Sequence, residues 1–194
     1  MQPSAYVGPE IAMKRSEALA RIEALPEGQS GEFVAGELVV SLRPASPHAF
    51  AAKRLIGTLD RAFEQALDGP GGWWILGEPE LHLGDDIVIP DLAGWRVTRM
   101  SSMPVTPAFT LAPDWICEVL SPSTVRFDRT AKLRAYAEAG VEWAWLVDPL
   151  ARTIEVQRSA GGGWLVEELF IGDEAVRAPP FDAVPLELRR LWLG

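Results

Sequence analysis

The chain has 194 residues and is therefore long enough to bury a core. Of these residues 48% are hydrophobic and 23% charged, a globular composition that excludes a wholly disordered protein. Its single cysteine, Cys117, and its two histidines exclude an internal disulfide and a zinc cluster of cysteine and histidine ligands. The net charge of −9 disfavours indiscriminate nucleic-acid binding through a global positive field. The sequence has no long apolar run and no signal-peptide pattern, which predicts a cytoplasmic protein that does not enter a membrane.

The N-terminal half alternates helical and strand-like segments. We expect a loose tail over residues 1–11, followed by a single domain over residues 12–194. Residues 12–24 have a helix-forming composition, and the spacing of apolar residues predicts a second helix over 48–67. Between them, alternating apolar residues around Ala35 and Gly36 predict two short strands.

The C-terminal half is richer in strands. The expected elements, in order, are strands over 73–76, 80–89 and 87–95, a loop over 98–113, a strand over 115–120, a helix over 127–139, and strands over 143–147, 154–157 and 164–170. The apolar run WICEVL at 115–120 is typical of a buried central strand. This order predicts an α+β, or mixed α/β, fold with one sheet and few helices.

Two acidic residues lie inside strand-like segments. Asp91 follows Pro90 in VIPDLAGW, and Glu118 lies in the apolar run WICEVL. A carboxylate in an apolar strand is costly to bury without a cation, a metal ion or a hydrogen-bond donor. Two such carboxylates on neighbouring strands could converge on one divalent cation, and hard oxygen ligands suit Mg²⁺ or Mn²⁺.

A lysine on the next predicted helix extends this pattern. Asp128, Lys132 and Tyr136 are spaced four residues apart and therefore lie near one face of the helix. A lysine near a bound cation could orient water or stabilise the charge of a pentavalent phosphate. Asp91 as a turn acid and Lys132 as a surface lysine paired with Asp128 are the ordinary alternatives. An ordinary structural role fits Glu118 less well, because its neighbours in the sequence are all apolar.

The segments that carry these residues resemble the Uma2 family, also called DUF820, of the PD-(D/E)XK nuclease-like superfamily. The resemblance covers residues 12–170, and its matching segments are FVAGELVV at 33–40, SPH at 46–48, IVIPDLAGW at 87–95, DWICEVLSPST at 114–124 and DRTAKLRAYAEAGVEWAWLVDP at 128–149. It implies a restriction-endonuclease-like core, in which helices flank a central mixed β-sheet, with a metal-dependent nuclease-type site.

The resemblance also implies roles for individual residues. Asp91 and Glu118 match the family's metal ligands, and Lys132 matches a lysine that has moved onto the helix. In the superfamily pattern the lysine follows the glutamate by two positions, but here Leu120 occupies that position and cannot serve. Glu37, in the AGEL segment, matches an acid often placed near the same site; its alternative is a strand-edge acid that faces water.

The function implied by the resemblance is that of a Mg²⁺- or Mn²⁺-dependent endonuclease that hydrolyses DNA phosphodiester bonds. Two alternatives stay open: a non-catalytic nucleic-acid- or protein-binding module on the same fold, and a metal-dependent phosphoesterase that acts on a small substrate.

Because the chain is acidic, contact with DNA would depend on a local basic patch. The candidates for that patch are Arg96, Arg99, Arg126, Arg129, Lys132 and Arg134, together with Lys53, Arg54 and Arg61 on the long helix. Their alternative is a set of solvated surface charges, which is the favoured interpretation for the long-helix group.

The C-terminal strands suggest a further partner. Apolar strands with Trp143, Trp145 and Trp164 could leave an exposed sheet edge, and a homodimer would cover it.

Of the two histidines, His48 could cap the long helix or contact phosphate, with a structural role favoured. His82 is expected to face solvent or a partner.

Overall fold

A computed structural model describes residues 13–42 and 45–193, so the predicted tail over residues 1–11 lies outside the described residues. The helices are α1 (Arg15–Glu23), α2 (Ser46–Leu59), α3 (Val125–Phe127) and α4 (Leu133–Glu138). π-helical turns follow α2 (Asp60–Glu64) and join α3 to α4 (Asp128–Lys132), and a 3₁₀ helix (Leu188–Arg190) lies near the end of the chain. None of the helices in these two ranges combines the length and the apolar character needed to cross a membrane.

The strands are β1 (Gln29–Val34), β2 (Glu37–Leu42), β3 (Trp73–Gly77), β4 (Leu81–Leu83), β5 (Asp86–Val88), β6 (Leu92–Arg96), β7 (Trp115–Val119), β8 (Trp143–Asp148), β9 (Thr153–Ala160), β10 (Gly163–Ile171), β11 (Ala175–Val176) and β12 (Leu186–Glu187). A central sheet has six strands in the order β10-β9-β8-β7-β6-β3, and a second sheet has the order β2-β1-β5-β4. In the central sheet β7 and β8 are parallel and the other neighbours are antiparallel. This mixed sheet with flanking helices confirms the predicted α+β class.

Helix α2 covers one face of the central sheet. Its buried residues Ala51, Leu55 and Leu59 recur at helical spacing and belong to the same core as Cys117 and Val119 of β7. The C-terminal segment adds Phe181 to the centre of this core. Its centroid lies 4.8 Å from the rings of Phe63 and Trp73, 4.9 Å from Trp115 and 5.6 Å from Trp145.

Helices α3 and α4, with the π-helical turn between them, cover the opposite face. Leu133 and Tyr136 are buried there with Ile116 of β7 and Leu146 of β8. Successive residues of a strand point to opposite faces, so the face that carries Ile116 also carries Glu118. The fold thereby places an acid under the helix that carries Lys132.

Some sequence predictions differ from the structure. The strand predicted over 87–95 is divided into β5 and β6, which belong to different sheets. The predicted helix over 48–67 gives way to a π-helical turn that ends at Glu64, because Ala66 and Asp68 have φ values of 54° and 65°. Leu67, expected on the apolar face, is therefore exposed. The single predicted sheet is also divided, since β1 and β2 pair with β4 and β5 instead of joining the central sheet.

Candidate active site

The central sheet brings Asp91 and Glu118 together. Leu92 of β6 pairs with Cys117 of β7 in antiparallel register. One further step in that register places Asp91 opposite Glu118, at the end of the β6–β7 pair. Glu118 therefore lies on β7, and Asp91 lies in the segment that leads directly into the neighbouring strand β6.

Two charged side chains hold the backbone that precedes Asp91. The Ile89 N–H donates to Oε1 of Glu32 over 2.7 Å, and the Ile89 carbonyl accepts from Nζ of Lys132 over 3.1 Å. The Asp91 carbonyl accepts from the Glu78 N–H over 3.0 Å. These bonds fix the segment from which the Asp91 side chain projects.

The Lys132 ammonium lies inside a buried group of acids. Its Nζ atom is 2.8 Å from Oε1 of Glu118, 3.0 Å from Oε1 of Glu32 and 3.8 Å from Oδ1 of Asp128. Glu118, Glu32 and the Ile89 carbonyl can use all three of its N–H donors. Lys132 is only 3% exposed, so it is not the surface lysine of the ordinary alternative.

The helix that carries Lys132 holds Glu118 from a second position. The hydroxyl of Tyr136 donates to Oε1 of Glu118 over 2.6 Å. Asp128 is buried beside the ammonium on the same side of the helix. The predicted shared face of Asp128, Lys132 and Tyr136 is therefore present, and it points toward the sheet. We call Glu32, Asp91, Glu118 and Asp128 the acidic cluster.

The pKa values of Glu118, Asp128 and Lys132 are shifted by burial and by the charges of the surrounding groups. Burial raises the pKa of Glu118 well above its ordinary value, against the opposing effect of Lys132. Burial also raises the pKa of Asp128 to about 6. Burial lowers the pKa of Lys132, but Glu118, Glu32 and Asp128 outweigh it, and the net pKa is raised. The ammonium therefore stays charged, and an added cation would relieve the repulsion among the acids.

Of the four cluster residues, Asp91 is the one that lines a cleft of about 270 Å³ between α2 and the β3–β6 pair. The small side chains of Ala49 and Ala52, with Gly77, leave this space open. Oδ2 of Asp91 accepts from the Val119 N–H over 2.7 Å, and Oδ1 lies 3.1 Å from Nε2 of His48. Each carboxylate oxygen keeps a further lone pair for a ligand.

The structure gives His48 a contact that the sequence does not indicate. Burial lowers the pKa of His48, but the hydrogen bond to Asp91 and the charges of Asp91, Asp128 and Glu78 outweigh it, and the net pKa is raised. The expected capping role is not seen, because no side chain caps the start of α2. His82 pairs with Glu80 over 2.7 Å.

Glu32 occupies the place expected for Glu37. Glu37 is exposed at the start of β2, the outer strand of its sheet, and the structure does not bring it to Lys132. Glu32 lies on β1, which pairs directly with β5 and so approaches the segment before Asp91. Its one sequence signal is an acid between apolar residues in GEFV, which Glu37 in GELV shares.

Most of the expected basic patch is engaged with carboxylates. The pairs are Arg96 and Arg99 with Asp114, Arg61 with Asp68, Arg129 with Glu155 and Arg134 with Glu138. Within residues 13–42 and 45–193, Lys53, Arg54 and Arg126 are exposed and form none of the ion pairs found there. Lys53 lines the cleft beside Asp91. The positive surface near the site is therefore small.

The residues that the structure describes contain no group of three or more His, Cys, Asp or Glu side chains arranged to hold a metal ion. Mg²⁺, however, is commonly bound through one or two carboxylates, with water and phosphate as its other ligands. Asp91 precedes the strand that pairs with β7, and its charge is one of those that raise the pKa of Glu118. By its chemistry a set of carboxylates suits a divalent cation, and Lys132 and Tyr136 already bond the two oxygens of Glu118.

Comparisons with known proteins identify the family and the fold. Residues 16–189 match the model of the Uma2 family, described as "Putative restriction endonuclease". The fold is similar to that in a crystal structure described as "a putative nuclease belonging to DUF820 from Anabaena variabilis ATCC 29413", with a TM-score of 0.73 and 22% identity over 93% of this chain and 97% of that one. This similarity establishes a shared fold. A comparison with curated proteins gives no match.

Proposed function

The chain belongs to the Uma2 family, whose model matches most of its length, and from this premise we propose that it is a divalent-metal-dependent endonuclease that hydrolyses DNA phosphodiester bonds. The metal is Mg²⁺ or Mn²⁺, and its ligands are Asp91 and Glu118. The family description and the fold of the DUF820 structure support a nuclease-like function. The metal, the DNA substrate and the residue roles are proposed from the geometry of the site.

The observation that carries the proposal is the acidic cluster built around one ammonium. Three carboxylates, those of Glu32, Glu118 and Asp128, lie within 3.8 Å of the Lys132 ammonium, although burying so many acids is costly. A module that only binds a partner has no need of this arrangement. A hydrolase that holds a cation next to phosphate does.

The proposed mechanism assigns one task to each residue. Asp91 and Glu118 would hold the cation, which when bound would supply Lewis-acid stabilisation of phosphate charge and lower the pKa of a water. Tyr136 orients Glu118 through its hydrogen bond to Oε1. Lys132 places a fixed positive charge beside the acids, which lowers the electrostatic cost of bringing a phosphate near them.

The cleft beside Asp91 is the proposed path of the substrate backbone. Lys53 is its exposed cation, and Asp91 lies on its wall. Because the net charge of the chain is −9, DNA binding through so few cations should be weak and should fall steeply as salt rises. The cytoplasmic location expected from the sequence stays a prediction, which cell fractionation would test.

We further propose a homodimer formed through β10. This strand is an outer strand of the central sheet, and its exposed apolar residues are Leu165, Val166, Leu169 and Ile171. Of the tryptophans expected at the edge, Trp143 and Trp145 lie on β8, where Trp145 is fully buried, and Trp164 lies on β10 itself, where it donates to the Leu133 carbonyl. Light scattering should give the mass of two chains, and Leu169→Lys should give the mass of one. A single-chain mass for the unmodified protein would contradict this proposal.

A plasmid-nicking assay tests the proposed function. We expect the unmodified protein to nick DNA with Mg²⁺ or Mn²⁺ and not with EDTA, and Asp91→Asn to lose on the order of 100-fold in rate. Asp85→Asn, an exposed acid on the turn between β4 and β5, is the matched control and should retain full rate. An Asp91→Asn protein as active as its parent would refute the assignment.

Two further results would select an alternative. Metal binding with cleavage of a small phosphodiester, but not of plasmid or single-stranded DNA, would favour the phosphoesterase. Nucleic-acid or protein binding without metal binding or cleavage would favour the non-catalytic module.

A further inference from the structure

The Asp91 carboxylate is held by donors from two different elements. The Val119 N–H of β7 donates to Oδ2 over 2.7 Å, and Nε2 of His48, in the first turns of α2, lies 3.1 Å from Oδ1. The side chains of His48 and Asp91 are only 12% and 16% exposed, so water competes little for this contact. With both oxygens engaged, the carboxylate has one favoured orientation.

Asp91 is the side chain that lies within ion-pair distance of His48 among the described residues. His48 does not cap α2, whose start has no side-chain cap bond. Its Nδ1 atom is buried and has no hydrogen-bond partner within the described part of the chain. The contact with Asp91 is therefore the polar interaction that fixes this ring in the described structure.

We infer that His48 is a positioning residue, whose Nε2–H holds the Asp91 carboxylate against the Val119 N–H so that the free lone pairs of Asp91 stay available to a ligand in the cleft. The inference deepens the proposed function and rests on it, since the ligand is the divalent cation. Hydrogen bonds to a ligating carboxylate orient it, and their removal typically costs 10–100-fold in metal affinity. His48 also ties α2, one wall of the cleft, to Asp91 on the other wall.

The test compares variants that keep or remove the donor. His48→Gln keeps an amide N–H donor at the reach of Nε2, whereas His48→Leu and His48→Ala remove the donor with large and small side chains. His82→Gln is the matched control, because His82, on β4, pairs with Glu80 rather than with a cluster residue. The probe is Mn²⁺, titrated by calorimetry into each metal-free protein.

A second readout does not depend on metal. In the metal-free protein, the amide of Val119 reports the Asp91 contact directly, through its proton chemical shift and its hydrogen-exchange rate. Normalising this rate to other amides of β7 separates the local contact from any change in global stability.

We expect His48→Leu and His48→Ala to weaken Mn²⁺ binding by about 10–100-fold. We also expect them to shift the Val119 amide proton upfield and to speed its relative exchange by roughly tenfold or more, since each 1.4 kcal/mol is a factor of ten. His48→Gln and His82→Gln should stay within about threefold of the unmodified protein in both readouts.

Unchanged Mn²⁺ affinity and an unchanged Val119 amide in the donor-free variants would overturn the inference, as would a His48→Gln protein that behaves like His48→Leu. If the unmodified protein binds no Mn²⁺ while the Val119 amide still responds, the positioning contact is supported and the proposed metal site is refuted. The two claims therefore fail separately.

Discussion

Nζ of Lys132 lies 2.8 Å from Oε1 of Glu118 in a region where the two residues are 3% and 1% exposed. The pair joins the helix on one face of the central sheet to the strand at its centre. The Coulomb gain of such a pair does not by itself exceed the cost of desolvating two charges. A buried pair in this position is therefore better explained by the chemistry of the acids than by stability.

Removing the ammonium should destabilise the protein strongly. Lys132→Met leaves Glu118 and Glu32 buried without a cation, and loss of one partner of a buried pair typically costs about 3–5 kcal/mol. Urea unfolding measures this free energy, and Lys53→Met, an exposed lysine, should change it by less than about 0.5 kcal/mol. Adding Glu118→Gln to Lys132→Met should restore part of the loss. A Lys132→Met protein within about 1 kcal/mol of its parent would contradict the buried-pair account.

Glu32 and Glu37 make a contrasting pair, because the sequence resemblance favours Glu37 and the geometry favours Glu32. Glu32→Gln removes the charge that bonds Lys132 and the Ile89 N–H, so we expect a loss of about 1–3 kcal/mol in stability and a reduced cleavage rate. Glu37→Gln, at an exposed position, should leave both unchanged. Unfolding curves and nicking rates measured side by side decide between them, and the reverse result would restore Glu37 to the site.

The titration of Asp128 should appear in the pH dependence of stability. Its pKa is raised from 3.8 to about 6 in the folded protein, so between these values the folded state binds more protons than the unfolded state. Stability from this group therefore falls as pH rises from about 4 to 6, by at most about 3 kcal/mol. Asp128→Asn removes the effect, so its stability relative to the parent should rise across that window. Denaturant unfolding from pH 4 to 7 measures it, with Asp85→Asn as control, and a constant difference would contradict the prediction.

The C-terminal segment should be essential to the core on the α2 face. Phe181 is 2% exposed and packs against four aromatic rings, and truncating such a side chain to alanine costs about 3–5 kcal/mol. Leu193→Ala, an exposed residue of the same segment, should change stability by less than about 0.5 kcal/mol. Thermal unfolding that gives similar midpoints for Phe181→Ala and Leu193→Ala would show that the segment does not close this core.

Site residues that follow from the periodicity of a single helix or strand could be predicted from the sequence. Glu118 in an apolar run, and Asp128, Lys132 and Tyr136 at helical spacing, each follow from the periodicity of one element. Pairing of β6 with β7 is then enough to bring Asp91, which precedes β6, near Glu118. The fold class follows from the same alternation of helices and strands.

The rest depends on contacts between distant segments. Glu32 reaches the site because β1 pairs with β5 in a second sheet, a pairing that no local pattern in GEFV distinguishes from that of GELV. His48 contacts Asp91 because α2 packs across the end of β6, and its position in the helix sequence suggests capping instead. The early end of α2 reflects the positive φ of Ala66, a conformation that alanine rarely adopts.

The most direct test of the central claim is a calorimetric titration of Mn²⁺ into the metal-free protein and into its Glu118→Gln variant, with Glu37→Gln as control. We predict that the unmodified protein and Glu37→Gln bind Mn²⁺ equally, and that Glu118→Gln binds it at least about tenfold more weakly. Equal binding by Glu118→Gln and its parent, or no binding by either, would contradict a metal site built on Asp91 and Glu118.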